Sequence, residues 1–185
     1  LSLFAAVSNT GTGNRVMTSP DGTTWTIRTS ASDLAWNSIT WSPELNLFVS
    51  VALSASTSSI MTSPDGITWT TRTSPNTNQL TDVTWSPGLT LFVIVGITGT
   101  GNRVTTSPDG ITWTARTSAA DNQWVSVKWA PEINIFAAVA ISGSGNRVMT
   151  SPDGITWTTR TSAADNQWVG LAWSPELSIF ASSAA

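Results

Sequence analysis

A seven-residue motif, Ser-Pro-Asp-Gly-x-Thr-Trp, occurs four times in this chain of 185 residues. Successive copies lie 44 residues apart, so no insertion or deletion separates them. An internal period of about 20 to 50 residues is a stronger guide to architecture than chain length. The period predicts one repeat-built domain over residues 1–185, with units 1–44, 45–88, 89–132 and 133–176 and an extra strand, 177–185.

Each unit contains four short segments with strand character, which the third unit shows best. Residues 91–95 are apolar on both faces, as in a covered strand, and residues 103–106 are rich in β-branched side chains. Residues 112–117 alternate between the two faces, and residues 124–129 make a fourth strand. Pro, Asp and Gly at positions 108–110 favour a tight turn between the second and third segments. The sequence therefore predicts an all-β protein with four antiparallel strands per unit.

Sets of four strands repeated at about 40 to 50 residues are typical of β-propeller blades. The motif also resembles the Asp-box (BNR) repeats of sialidases and related β-propellers, which read Ser-x-Asp-x-Gly-x-Thr-Trp. This chain lacks the residue between Asp and Gly, so its turn is tighter. The resemblance implies that the motif joins the two outer strands of a blade, away from any active site, and serves the fold rather than sialidase chemistry.

The usual propeller winding makes residues 124–129 the innermost strand of a new blade. Residues 168–173 would then be the last innermost strand, available to complete the first blade and close a ring. Residues 177–181 repeat the pattern of residues 1–5, however, so two strands compete for one position. We expect either a four-bladed unit with one copy left loose, or self-association in which this redundant terminal strand pairs with another chain.

The repeated acidic and aromatic residues of the motif have a structural interpretation. Each carboxylate is expected to accept N–H groups of its own turn, and one carboxylate per turn provides too few oxygens for Ca²⁺, so no metal is predicted. Each Trp is expected to fill the core, together with a second row at Trp41, Trp85, Trp129 and Trp173. The structural set is Asp21, Trp25, Asp65, Trp69, Asp109, Trp113, Asp153 and Trp157.

Composition argues against several functions. The net charge of -3 and only eight Lys and Arg make nucleic acid an improbable partner, and no apolar run is long enough to cross a membrane. The chain has no His, Cys or Tyr, which removes His-based triads, thiol nucleophiles and the Tyr nucleophile of sialidases. A carboxylate pair of the kind that inverting glycosidases use stays an alternative, but we predict a non-enzymatic protein without a cofactor. Asp82 interrupts the repeat on an innermost strand; we expect a solvated channel residue there rather than a general base.

Ligand binding is predicted at one rim, where two sets of loops should converge. Amides, carboxylates and indole faces suit a glycan, and weak repeated sites would act by avidity. The second unit departs from the pattern at Ser59 and Leu80 and should bind poorly. The alternative is a structural, assembly or engineered repeat module without a specific ligand. The candidate residues are Asn14, Arg15, Trp36, Asn102, Arg103, Asp121, Asn122, Gln123, Trp124, Asn146, Arg147, Asp165, Asn166, Gln167 and Trp168.

Overall fold

A computed structural model describes residues 2–185; Leu1, with which the first predicted unit begins, lies outside the described residues. Within that range the chain forms 17 strands in five antiparallel sheets and no helix. The strands are β1 (Phe4–Val7), β2 (Val16–Ser19), β3 (Thr26–Arg28), β4 (Trp36–Ser42), β5 (Leu47–Ala52), β6 (Ile60–Ser63), β7 (Thr70–Arg72), β8 (Leu80–Ser86), β9 (Leu91–Gly96), β10 (Val104–Ser107), β11 (Thr114–Arg116), β12 (Trp124–Ala130), β13 (Ile135–Ala140), β14 (Val148–Ser151), β15 (Thr158–Arg160), β16 (Trp168–Ser174) and β17 (Ile179–Ala184).

Three of the sheets are complete, and each has four strands that pair in chain order. They are β4 to β7, β8 to β11 and β12 to β15. The first strand of each sheet lies against the first strand of the next, so β4, β8 and β12 are the innermost strands of successive sheets. This arrangement confirms the predicted all-β architecture and the predicted four strands per unit.

The Ser-Pro-Asp-Gly turn joins the two outer strands of each sheet, as the third copy illustrates. The Asp109 carboxylate accepts the N–H groups of Ile111 and Thr112, both at 2.8 Å. The Ser107 hydroxyl accepts the N–H of Gly110 at 2.8 Å, and Gly110 has a φ of 71°, which a residue with a Cβ rarely adopts. The Trp113 indole N–H donates to the Gly110 carbonyl at 3.2 Å. The side chains of the motif thus form hydrogen bonds with the backbone groups of their own turn.

The core lies between neighbouring sheets. At each interface it contains aromatic residues from equivalent repeat positions. Phe92 is fully buried, with its ring centroid 4.4 Å from that of Trp85 and 6.1 Å from that of Trp113. Val49 and Val51 of the preceding sheet belong to the same cluster. Burial of a Trp side chain removes about 150 to 250 Å² of surface from water, so we expect the interfaces between sheets to contribute most to the stability of the fold.

The two terminal sheets are incomplete. β1 to β3 form a three-stranded sheet without an innermost strand, and β16 pairs with β17 alone. The expectation that residues 168–173 complete the first sheet is therefore wrong, because the C-terminal copy occupies that position with Trp173 opposite Phe180. A hairpin across residues 175–178 closes a very short loop and costs less entropy than pairing with the far end of the chain. Neither redundant copy is loose, and the four-bladed ring is not formed.

Candidate functional site

The predicted rim residues lie on two kinds of loop at one end of the sheets. A hairpin loop, residues 97–103, connects β9 to β10, and a connecting loop, residues 117–123, leads from β11 to β12. The backbone N–H of Ser118 donates to the Gly101 carbonyl, in the hairpin loop of the same sheet, at 3.2 Å. The backbone carbonyl of Gln123 accepts the N–H of Ile141, in the hairpin loop of the next sheet, at 3.0 Å. Each connecting loop therefore touches two successive hairpin loops.

The aspartate of the connecting loop binds the hairpin loop of its own sheet. The Asp121 carboxylate accepts the Gly101 N–H at 2.6 Å and lies 3.7 Å from Nε of Arg103. Nε of Arg103 donates to the Gly99 carbonyl at 2.8 Å, so the guanidinium braces the loop from inside. The same arrangement recurs with Asp165, Gly145 and Arg147, and with Asp33, Gly13 and Arg15.

The electrostatics of the fourth unit follow from these bonds. The Gly145 N–H, assisted by the Ser144 hydroxyl and the Arg147 guanidinium, lowers the pKa of Asp165 below its usual range. The carboxylate is therefore held in its charged form by the loop that it binds. Asp165 therefore accepts hydrogen bonds from the hairpin loop and is a poor candidate for a general acid or base.

An asparagine of the connecting loop binds the hairpin loop of the following sheet. Nδ2 of Asn122 donates to the carbonyl of Asn146 at 2.8 Å and to its side-chain oxygen at 3.0 Å. Nδ2 of Asn78 makes the same two bonds to Asn102, at 2.9 and 3.2 Å. A Cβ on Gly143 would collide with the Asn122 amide, and its φ of 107° also favours glycine. The sequence-based prediction did not include Asn78.

We call this three-part arrangement the rim latch. It consists of a Gly-x-Gly-Asn-Arg hairpin loop, an Asp from the connecting loop after the sheet, and an Asn from the connecting loop before it. The second unit lacks all three parts together: its loop reads Ala-Ser-Thr-Ser-Ser over residues 55–59, with Thr77 in place of the Asp and Leu34 in place of the Asn. In the sequence, these three departures occur together in one unit, which indicates that the three parts depend on one another and could have identified the latch.

The tryptophans at the end of the connecting loops do not face solvent in the complete sheets. Trp36 is 1% exposed and Trp124 0% exposed. Their indole N–H groups donate to backbone carbonyls of Ser32 and Ala120. The prediction that these two indole faces cover a sugar ring is wrong, because both side chains are buried in hydrophobic clusters. Trp168, in the two-stranded terminal sheet, is half-buried.

Asp82 ties three innermost strands together. One carboxylate oxygen accepts the Ser38 hydroxyl of β4 at 2.6 Å, and the other accepts the Ser126 hydroxyl and Val127 N–H of β12 at 3.0 and 2.9 Å. Nζ of Lys128 lies 2.9 Å from the same second oxygen. Asp82 is 8% exposed, so its prediction as a solvated residue is wrong. Neighbouring strands, which a repeat alignment does not show, supply its partners.

Within residues 2–185, no group of three or more acidic residues lies close enough to hold a metal ion. Over the same range, no helix has the length and apolar character needed to span a membrane. The sites that the described part of the chain offers are the rim latches and the Asp82 cluster.

No family model matches the sequence, and no curated protein matches it. Solved structures do match. The virginiamycin B lyase from Staphylococcus aureus superposes with a TM-score of 0.72 at 12% identity, over 86% of this chain and 53% of the lyase. The fold is a β-propeller. A chain of the nidogen/laminin complex gives a TM-score of 0.70 at 16% identity, over 99% of this propeller and 70% of that chain.

A third β-propeller, the GH74 enzyme of Niastella koreensis, matches with a TM-score of 0.70 at 18% identity, over 93% of this chain and 32% of the enzyme. The propeller described here spans about half the length of the lyase and a third of this enzyme. At these identities the likeness establishes the fold alone. The Asp-box resemblance stays a prediction, since no family model matches.

Proposed function

We propose that this chain is a non-enzymatic, structural propeller module in which the rim latches join successive blades. The observation that carries the proposal is that the predicted ligand-binding groups already bind one another. The Asp121 carboxylate and the Asn122 amide each bind a backbone group of a neighbouring loop, and the Arg103 guanidinium binds a carbonyl of its own loop. These internal bonds use part of the hydrogen-bonding capacity that a ligand would otherwise engage.

The acidic groups support the non-enzymatic part of this proposal. Asp82 uses both carboxylate oxygens to accept hydrogen bonds from two neighbouring blades, which leaves no free position for a proton from a substrate. The turn aspartates accept their own backbone N–H groups, as Asp109 does. The sequence contains no His, Cys or Tyr that could act as a nucleophile in their place.

Thermal and urea unfolding of latch variants test the structural role. Asn122 is 6% exposed, so Asn122→Leu, which copies the second unit, should lower the free energy of unfolding by about 1 to 3 kcal/mol. Asp121→Ala should cost about 1 kcal/mol, because this carboxylate is 43% exposed. Thr77→Ala, at the matching position of the unit without a latch, is the control and should be close to neutral. Latch variants as stable as this control would contradict the proposal.

Glycan binding at the rim is a second candidate, favoured by one observation. Gln123 and Gln167 are exposed beside Asp121 and Asp165, and the two sites are 44 residues apart on the same rim. Repeated hydrogen-bonding groups of this kind could bind hydroxyl groups by avidity. A glycan array with the original chain and the Gln123→Ala/Gln167→Ala double variant tests this candidate. A signal lost in the double variant would support it, and no signal, or one unchanged by the substitutions, would contradict it.

A further inference from the structure

At the end of the sheets opposite the rim latches, a glutamate of one blade binds a tryptophan of the next. The indole N–H of Trp85 donates to the Glu44 carboxylate at 2.7 Å, and that of Trp173 donates to Glu132 at 2.6 Å. Each bond runs from the turn after one innermost strand to the following innermost strand. Short bonds to an ionised acceptor are stronger than bonds between neutral groups. The chain therefore uses a carboxylate as the acceptor for this row of tryptophans.

Trp129 belongs to the same row but lacks this acceptor. The matching turn has Gly88, where the other units have Glu44, Glu132 and Glu176. Among residues 2–185, the buried indole N–H of Trp129 has no hydrogen-bond partner. Native proteins contain few buried donors of this kind, because leaving one unpaired costs free energy. The junction between the blades of β8 and β12 therefore contains an unused donor at this end.

The Trp129 ring is packed in the same way as its equivalents. Its centroid lies 4.5 Å from that of Phe136, with an angle of 51° between the two planes, and the corresponding values for Trp85 and Phe92 are 4.4 Å and 49°. The two indoles are also equally buried, at 8% and 7% exposed. Because the packing repeats, we infer that the N–H of Trp129 is directed towards the turn at residues 87–90.

The space beside Gly88 can accommodate the group that the other units supply. Within the described part of the chain, a Cβ on Gly88 would meet no atom within 4 Å beyond its chain neighbours, whereas a Cβ on Gly110 would lie 2.5 Å from a Leu47 methyl group. Gly88 is also not one of the glycines with a positive φ. The backbone therefore does not require glycine at this position, and a side chain or a ligand can occupy the space.

The chemistry of this space selects the ligand. An indole N–H is only a donor, so a ligand must supply an acceptor, and the chain itself uses a carboxylate for this purpose. Apolar side chains border the space: Leu89, next to Gly88, is 40% exposed, and Ile133, in the turn after β12, is 44% exposed. These groups favour a carboxylate on a short hydrocarbon chain over a polyhydroxylated or cationic ligand.

We propose that Trp129 and the space beside Gly88 form a binding site for an external carboxylate on a short apolar chain. The carboxylate takes the place beside Trp129 that Glu44 takes beside Trp85, and it comes from a free organic acid or from an acidic side chain of a partner protein. The site lies at the end of the sheets away from the rim latches and does not depend on their role.

Sodium propionate, which corresponds to the side chain that Gly88 lacks, is the probe. In ¹H–¹⁵N correlation spectra of the original chain, it should shift one indole N–H resonance downfield in a saturable way, with a millimolar dissociation constant. Trp129→Phe should remove that resonance, which assigns it. Propionamide, a neutral molecule of similar shape, should shift it about fivefold less at the same concentration. A Trp129 resonance that propionate shifts no more than propionamide or sodium chloride does would overturn the proposal.

Two substitutions at Gly88 give an independent test. Gly88→Glu supplies the carboxylate within the chain, so it should abolish the propionate shift and raise the melting temperature by about 2 to 4 °C. Gly88→Ala, the matched control, adds only a Cβ and should bind propionate within about twofold of the original chain. Three results would each overturn the proposal: propionate binding by Gly88→Glu, loss of binding in both variants, or a Gly88→Glu chain no more stable than Gly88→Ala.

A peptide probe distinguishes the two sources of the carboxylate. The tripeptide acetyl-Leu-Glu-Leu-amide has the same carboxylate between apolar groups that can contact Leu89 and Ile133. Binding about tenfold tighter than that of propionate would assign the site to an acidic side chain of a partner, and equal or weaker binding would assign it to a free acid. Failure of both probes would overturn the carboxylate site and leave the role of the rim latches, which the Asn122→Leu variant tests, unaffected.

Discussion

The complete central blades and the incomplete first blade contain the same motif but bury it differently. Trp113 is 7% exposed, whereas Trp25, at the same repeat position, is 40% exposed. Both indoles donate to the glycine carbonyl of their own turn, at the same distance of 3.2 Å. The motif therefore forms its hairpin without help from neighbours, but a preceding blade is needed to turn its tryptophan into core.

The largest expected effect tests this difference directly. Trp113→Ala should reduce the free energy of unfolding by about 3 to 5 kcal/mol, because it leaves a cavity between two blades. Trp25→Ala should cost less than about 1 kcal/mol, since its side chain is already 40% exposed. Urea unfolding of both variants measures the difference between their losses in free energy of unfolding. Equal losses of stability for the two variants would contradict the comparison.

The innermost strands differ in the same way. Asp82 connects β4, β8 and β12, whereas Gly170 on β16 has no side chain at this position to connect it to β12. Asp82→Ser should cost about 2 to 4 kcal/mol, because the buried hydroxyls and N–H group lose their acceptor. The Asp82→Ser/Lys128→Thr double variant, which copies the uncharged positions of other blades, should cost less than the sum of the two single changes. Strict additivity in urea unfolding would show that the pair is not coupled.

The turn aspartates provide a pH dependence that all four hairpins share. The N–H groups of Thr68 and Ile67 hold the pKa of Asp65 below its usual range. A lowered folded-state pKa contributes stability above the unfolded value of about 3.9, and that stability is lost as pH falls towards the folded value. The melting temperature should therefore fall below about pH 4, and less steeply in Asp65→Asn. Identical acid slopes for this variant and the original chain would contradict the assignment.

The smallest expected effect concerns the turn between the first two strands of each blade. Its last residue has a positive φ in every copy: 48° at Asn46, 49° at Thr90, 50° at Asn134 and 51° at Ser178. Asn adopts this region at little cost, whereas a β-branched residue such as Thr90 is strained there. Thr90→Asn should therefore stabilise the protein by about 0.5 to 1 kcal/mol, and Asn46→Thr should do the reverse. Melting curves that move in the same direction for both would contradict this explanation.

The repeat pattern predicted most of the fold, and the reasons are local. Turn chemistry at residues 108–110 fixes the outer hairpin, and strand alternation fixes which side chains share a face. The predicted strands at residues 91–95 and 124–129 correspond to β9 and β12. Apart from the tryptophans, which begin strands, the candidate rim residues lie on two converging sets of loops. Their bonding was not predicted, because Asn122 and Asn146 belong to different loops and meet only across a junction.

By itself, the sequence determined the repeat, the blade and the position of each turn, since these depend on contacts within about 10 to 20 residues of chain. Tertiary structure decided the rest. It buried Trp124 and Asp82, because the groups that cover them come from other loops and blades. It also decided which of two similar strands pairs with β16, since their sequence patterns are alike and the short connecting hairpin favours the C-terminal strand.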